Sequence, residues 1–178
     1  MNQTLVLYRS KYGAAKKYAE LLRAQTGCTV CEAARADALS FEPYRCIVFI
    51  GGIYASGIAG LSTLRRHLGR LQGKRVAVFA VGASPADEKA LAALKAHNMK
   101  GPLQDIPLFY GRGAWNEQAM TFKDRTLCRL LRKAVSQKDP GACEPWEAAL
   151  MEAGGSACDW TDPAYLEPLA AFLAAERP

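Results

Sequence analysis

Ser10 and Gly13, in the stretch Tyr8-Arg9-Ser10-Lys11-Tyr12-Gly13-Ala14-Ala15, stand where a phosphate-cradling turn needs a hydroxyl and a residue without Cβ. The turn follows an apolar run and opens into a helical pattern. Its backbone N–H groups, with the N-terminus of that helix, make an anion site helped by the helix dipole. Ala15, at the sixth position of the turn, has no hydroxyl, and Tyr12 carries one of much longer reach. Each hydrogen bond missing to a charged phosphate costs about 1.5–3 kcal/mol. Lys11, Lys16 and Lys17 would offset part of that by their charge. Gly13 is expected to leave room for the phosphate, whereas a connection with no ligand would need Gly13 alone. Two further segments end apolar runs in glycine: Gly52-Ile53-Tyr54-Ala55-Ser56-Gly57 and Val81-Gly82-Ala83-Ser84.

Other chemistries find little support. Cys28 and Cys31 have C-x-x-C spacing, but no second pair or histidine cluster accompanies them, and strand alternation would point them to opposite faces. The chain has six cysteines and, at its N-terminus, no basic segment or small-residue cleavage site before the apolar run, so reduced thiols and a cytoplasmic protein are expected. His67 and His97, the only histidines, lie far apart, and no metal-ligand spacing, G-x-S-x-G or P-loop sequence occurs. Hydrolase and nucleoside-triphosphatase readings have nothing to stand on. Of the 178 residues half are hydrophobic and 22% charged, which excludes a disordered or fibrous chain. No apolar run approaches the roughly 18 residues of a membrane span. The net charge of +6 favours anionic ligands or surfaces, but without basic–aromatic interleaving nucleic acid is an unlikely partner.

The elements that must position these residues alternate. Strands are expected at 4–10, 28–33, 46–52, 75–83 and 106–113. Those at 46–52 and 75–83 are continuous apolar runs, as in strands buried on both faces. Helices are expected at 13–27, 59–71, 84–98 (Ser84 as N-cap, Pro85 at the first position), 120–137 and 163–176. Alternating strands and helices imply right-handed crossovers and a doubly wound parallel sheet in a single α/β domain, 1–178. Five strands in this succession fit the flavodoxin-like order 2-1-3-4-5, with an insertion after strand 5 at about 112–160. Ligands bind such sheets at the carboxyl ends of the strands, at the switch between strands one and three, where the three glycine-bearing segments converge.

The stretches "YRSKYGAAKKYAELL", "IVFIGGIYASGIAG" and "VFAVGA" resemble the three flavin-contacting loops of flavodoxin-domain proteins. "LFYGRGAWNEQAMTFKDRTLCRLLRKA" and "DWTDPAYLEPLAAFL" are similar to the subgroup that contains the menaquinone-dependent protoporphyrinogen dehydrogenase. The resemblance implies FMN as cofactor, held by Ser10, Lys11, Tyr12, Gly13, Ala14 and Ala15 at its phosphate. Around the ring it implies Gly52, Ile53, Tyr54, Ala55, Ser56 and Gly57, together with Val81, Gly82 and Ala83. The family pattern [ST]-x-[ST]-G-x-[ST] is matched here only at Ser10 and Gly13. Tyr54 fits a ring-stacking role or a surface-loop aromatic. Trp115, near Tyr110 and Arg112, fits either a cover for the open face of the flavin or a packing residue of the insertion.

The function so implied is an FMN-binding oxidoreductase acting on a porphyrinogen-like or other organic substrate, with a quinone or other acceptor and no assigned general acid or base. An electron carrier without its own substrate, and a flavin-free docking module, are the alternatives; the basic charge argues against the first, and Tyr12 and Ala15 favour the second. The basic amphipathic helix 121–136, with Lys123, Arg125, Arg129, Arg132 and Lys133, suits either a solvated face or peripheral contact with an anionic membrane.

Overall fold

Apolar runs of four to seven fully buried residues can be satisfied only in a sheet covered on both sides, and the sheet is built from them. The computed structural model describes residues 3–139, 141, 143–154 and 156–175. Strands β1 (Thr4–Arg9), β2 (Thr29–Glu32), β3 (Cys46–Tyr54), β5 (Arg75–Gly82) and β6 (Leu108–Arg112) are all parallel, in the order β2-β1-β3-β5-β6. Counting parallel strands alone, this is the expected order 2-1-3-4-5. A two-residue strand β4 (Gly57–Ile58) folds back antiparallel on β3.

The twofold alternation of each strand divides the core. Leu5, Leu7, Ile47, Phe49, Val78 and Ala80 face one side, with Leu61 and Leu64 of α2 (Leu61–His67), and Leu94 of α3 (Glu88–Asn98) packs against them. Val6, Val48, Ile50, Ala77, Phe79 and Val81 face the other side, under Ala15, Tyr18, Ala19 and Leu22 of α1 (Ala14–Thr26) and Leu169 of α6 (Glu167–Ala174). Cys28 lies in the second cluster and Cys31 packs against the first, so the C-x-x-C pair is split between the two faces.

The insertion carries more structure than its glycines and prolines suggest. It holds β7 (Ala114–Asn116) paired antiparallel with β8 (Ala157–Asp159), the helix α4 (Phe122–Val135) and the helix α5 (Pro145–Ala153). α5 was not expected; Pro145 at its first position and a Glu144/Glu147 capping box start it. Thr121 caps α4, and the ion pair Arg132–Glu117 fastens it. Other bounds shift for local reasons. Helix α3 begins later than expected, because Asp87 and not Ser84 is its cap, accepting from Ala90 N at 2.7 Å. The helical pattern at 59–71 divides into α2 and a 3-10 turn, Leu68–Leu71. The last helix opens as a 3-10 turn, Pro163–Leu166, and position 176 lies outside the described residues. Among the described residues no helix is long and apolar enough to cross a membrane.

Candidate functional site

Strand β1 delivers the first loop at its carboxyl end. Gly13, the N-cap of α1, has φ +97, a left-handed conformation that other residues adopt only with strain. A Cβ on Gly13 would meet nothing within 4 Å, so glycine is required here by the backbone, and the space above it is open. The Ser10 hydroxyl bends back to accept from Gly13 N at 3.0 Å. The first amides of α1 have no intrahelical acceptor, and no acidic residue sits in its first turn. Ala14 lies against Gly113, where an added Cβ would come within 3.1 Å of its methyl. Ala15 is 2% exposed and packs in the core under α1, so this position has only its backbone to give a ligand.

Most charges around this loop are already partnered. Asp124, reaching over from α4, accepts from Lys11 Nζ and from the Tyr12 hydroxyl. Those two contacts, Lys11 first, hold its carboxyl below the usual range, and the same contact raises the Lys11 ammonium. Lys17 Nζ lies 2.6 Å from Asp159 Oδ2, and Arg9 lies 3.5 Å from Glu32. The bond from Lys17, seconded by Thr161, pulls the Asp159 carboxyl down to about 2. Of the three lysines expected to compensate for missing hydroxyls, Lys16 alone has no ion-pair partner among the described residues.

The second segment is a hairpin and not an open loop. Gly52 is buried within β3 beside Val81 of β5, and the pairs Ile53–Ile58 and Tyr54–Gly57 close a two-residue turn at Ala55 and Ser56. Both turn residues have positive φ, 46° and 65°, in the conformation that glycine or asparagine normally supplies. Buried Asn98 at the end of α3 holds the turn: it donates to Ser56 O (2.8 Å) and accepts from Ile58 N (2.9 Å). Tyr54 turns toward the first loop. Its hydroxyl accepts from Lys11 N at 3.2 Å, and its ring meets Tyr12 edge-on at 6.2 Å. Burial pushes its phenol up, so it stays neutral. A Cβ on Gly52 would stand 3.1 Å from the Tyr54 ring, so the ring would have to shift slightly to admit one.

At the third segment the carbonyls of Gly82, Ala83 and Ser84 accept from Gly113 N (2.7 Å), Arg112 Nε (2.8 Å) and the Tyr110 hydroxyl (2.6 Å). Arg112 also stacks on Trp160 at 3.9 Å and pairs with Glu152. Trp115 sits in β7 opposite Cys158, and its indole N–H is buried without a partner among the described residues. Among the described contacts none ties Trp115 to the three loops. The first two loops are thus in direct contact, and the third joins them through the Gly52–Val81 register.

Beside them an open groove of about 490 Å³ is lined by Arg9, Ser10, Lys11, Glu32, Tyr54 and Ala59, at the carboxyl ends of β1, β2 and β3. The described residues hold no group of three or more His, Cys, Asp or Glu suited to a metal. The flavodoxin domain model matches residues 5–140, well over half of the chain. The chain belongs to the flavodoxin-domain family. No curated protein matches its sequence. Among solved structures it is similar to the Trp repressor binding protein of Bacillus subtilis, at 16% identity and TM-score 0.46, over 62% of this chain and 84% of that one. It is also similar to a flavoprotein from Lactobacillus acidophilus NCFM in complex with FMN, at 15% identity and TM-score 0.44, over 63% and 93% of the two chains. A structure from Bacteroides eggerthii DSM 20697 matches at 16% identity and TM-score 0.45, over 78% and 100%.

Sequence reasoning missed Asp124 and Asn98 as parts of this region. Asp124 meets Lys11 from 113 positions away in the chain, and no local pattern marks it.

Proposed function

We propose that this flavodoxin-domain protein binds FMN and works as an oxidoreductase. The observation that carries the reading is the meeting of the Ser10–Ala15 loop with Tyr54 at the carboxyl end of β1 and β3, the switch point of the sheet. The residues fit such a cofactor in three respects: the first turn of α1 carries no acidic residue, the space above Gly13 is open, and a groove adjoins the loop. Ser10, Gly13 and the backbone of Ala14 and Ala15 would hold the phosphate. Tyr54, with the backbone of the Ala55–Gly57 turn, would border the ring. When bound, the flavin supplies the hydride and electron chemistry. The chain's own part is to orient it and to exclude water from one side. A porphyrinogen-like or other organic substrate with a quinone acceptor is the finer form of this reading, supported by the resemblance of the insertion and by a net charge of +6 suited to carboxylate-bearing molecules.

A second reading, a flavin-free docking module, is favoured by one observation: Asp124 already engages Lys11 and Tyr12. Addition of FMN to the purified chain, followed by desalting and thermal denaturation, separates the two. Retained flavin with a raised Tm supports the oxidoreductase; no retention and no shift supports the module.

A further inference from the structure

Helix α4 is tied down along one side and bare along the other. On the inner side Asp124 binds Lys11 and Tyr12, Arg125 donates to the carbonyls of Glu117, Gln118 and Met120, Arg132 pairs with Glu117, and Val135 is buried. On the outer side Leu127, Leu130, Leu131 and Ala134 recur at i, i+3, i+4 and i+7, which makes one continuous stripe. Leu127 is 54% exposed, Leu130 62% and Leu131 37%, while Phe122 at the first position is 84% exposed. A row of large apolar side chains standing in water marks an interaction surface, unlike scattered single ones. Lys123 precedes Leu127 by one turn and Lys133 lies beside Leu130, while Arg129 stands farther round the helix. All three are exposed, and none has an ion-pair partner among the described residues.

We infer that this face of α4 docks on an anionic lipid surface. Charge complementarity points to that occupant: Lys123 and Lys133, without ion-pair partners among the described residues, border the leucines, on a chain of net charge +6. Lysine stems can lie along the stripe and keep their charges at the headgroups while the leucines enter the acyl boundary. A single convex helix serves a bilayer surface well, because a bilayer needs no shape match. Because the inner side of the same helix carries Asp124 onto Lys11, docking would hold the first loop close to the bilayer. The inference rests on α4 alone and does not require flavin.

The test is co-sedimentation of the full chain with vesicles of equal parts phosphatidylglycerol and phosphatidylcholine, against phosphatidylcholine alone. Binding to the anionic vesicles about tenfold stronger than to the neutral ones is expected, weakening as salt rises. Leu127→Glu with Leu130→Glu should abolish it, as should Lys123→Glu with Arg129→Glu and Lys133→Glu, with circular dichroism unchanged because these side chains stand in solvent. Absence of binding by the unaltered chain overturns the inference, as does equal binding by the variants. Self-association that Leu130→Glu abolishes, without vesicle binding, assigns the face to a second copy. Binding to soluble polyglutamate but not to vesicles assigns it to an acidic protein. Either result also overturns the lipid inference.

Discussion

Asp124 accepts a hydrogen bond from Lys11 Nζ, so a carboxylate of the insertion engages the one side-chain ammonium that the Ser10–Gly13 turn itself contains. A phosphate held at the proposed site would draw on that ammonium's charge as well as on the backbone amides, and Asp124 competes for it. Asp124→Asn keeps the shape and removes the charge. FMN affinity should then rise on the order of threefold at low salt, since exposed pairs of this kind are weak, and the gain should shrink as salt screens it. Fluorescence titration reads this directly; an unchanged or weakened affinity would mean that Lys11 does not touch the phosphate.

The turn at Ala55 and Ser56 carries strain that its sequence does not relieve. Ser56→Gly should stabilise the protein by about 1 kcal/mol, because glycine adopts positive φ freely. Asn98→Ala should cost about 1–3 kcal/mol by leaving Ser56 O and Ile58 N without their partner. Chemical denaturation of the two variants checks both signs.

Gly13 makes a separate prediction, because its surroundings are open while its φ is +97. Gly13→Ala should destabilise by about 1–2 kcal/mol, and Gly13→Val by more, through the backbone and the stiff β-branch. A fall of several degrees in Tm is expected for each. Unchanged melting of Gly13→Val would show that the loop does not hold this conformation.

Acidification should loosen the link between α1 and the β7–β8 hairpin. Asp159 titrates at about 2 in the fold, below its ordinary 3.8, so protons favour the unfolded chain. Its contribution is therefore complete above about pH 5 and fades toward pH 2. Both side chains of the Lys17–Asp159 pair are about half exposed, which limits that contribution to about 1 kcal/mol or less. Asp159→Asn should be less stable than the parent at neutral pH, and the difference should shrink as pH falls through about 2 and vanish below it in a pH series of denaturation curves.

Much of the fold is legible in the sequence, since Val6, Val48 and Phe79 alternate with Leu5, Phe49 and Val78 in runs that only a sheet covered on both sides can bury. The helix starts were harder to place. Ser84-Pro85 has the composition of a cap, yet Asp87 makes the hydrogen bond, and only the path of the backbone decides between them. In the candidate site, the Ser10–Gly13 turn could be read from local spacing. The hairpin at Gly52–Ile58 could not, because Ala55 and Ser56 lack the turn residues that normally announce one. Asp124 was hidden for a different reason: its partners lie more than a hundred positions away, and long-range pairing leaves no periodic trace.

On the proposed reading, the loop at Ser10–Ala15 and the tip at Tyr54–Gly57 hold FMN. A visible absorption spectrum of the purified protein, before and after adding FMN and desalting, tests it most directly. Flavin bands that remain with the protein after desalting are the predicted result. A colourless protein that retains none would contradict the claim and leave a flavodoxin-domain fold put to another use.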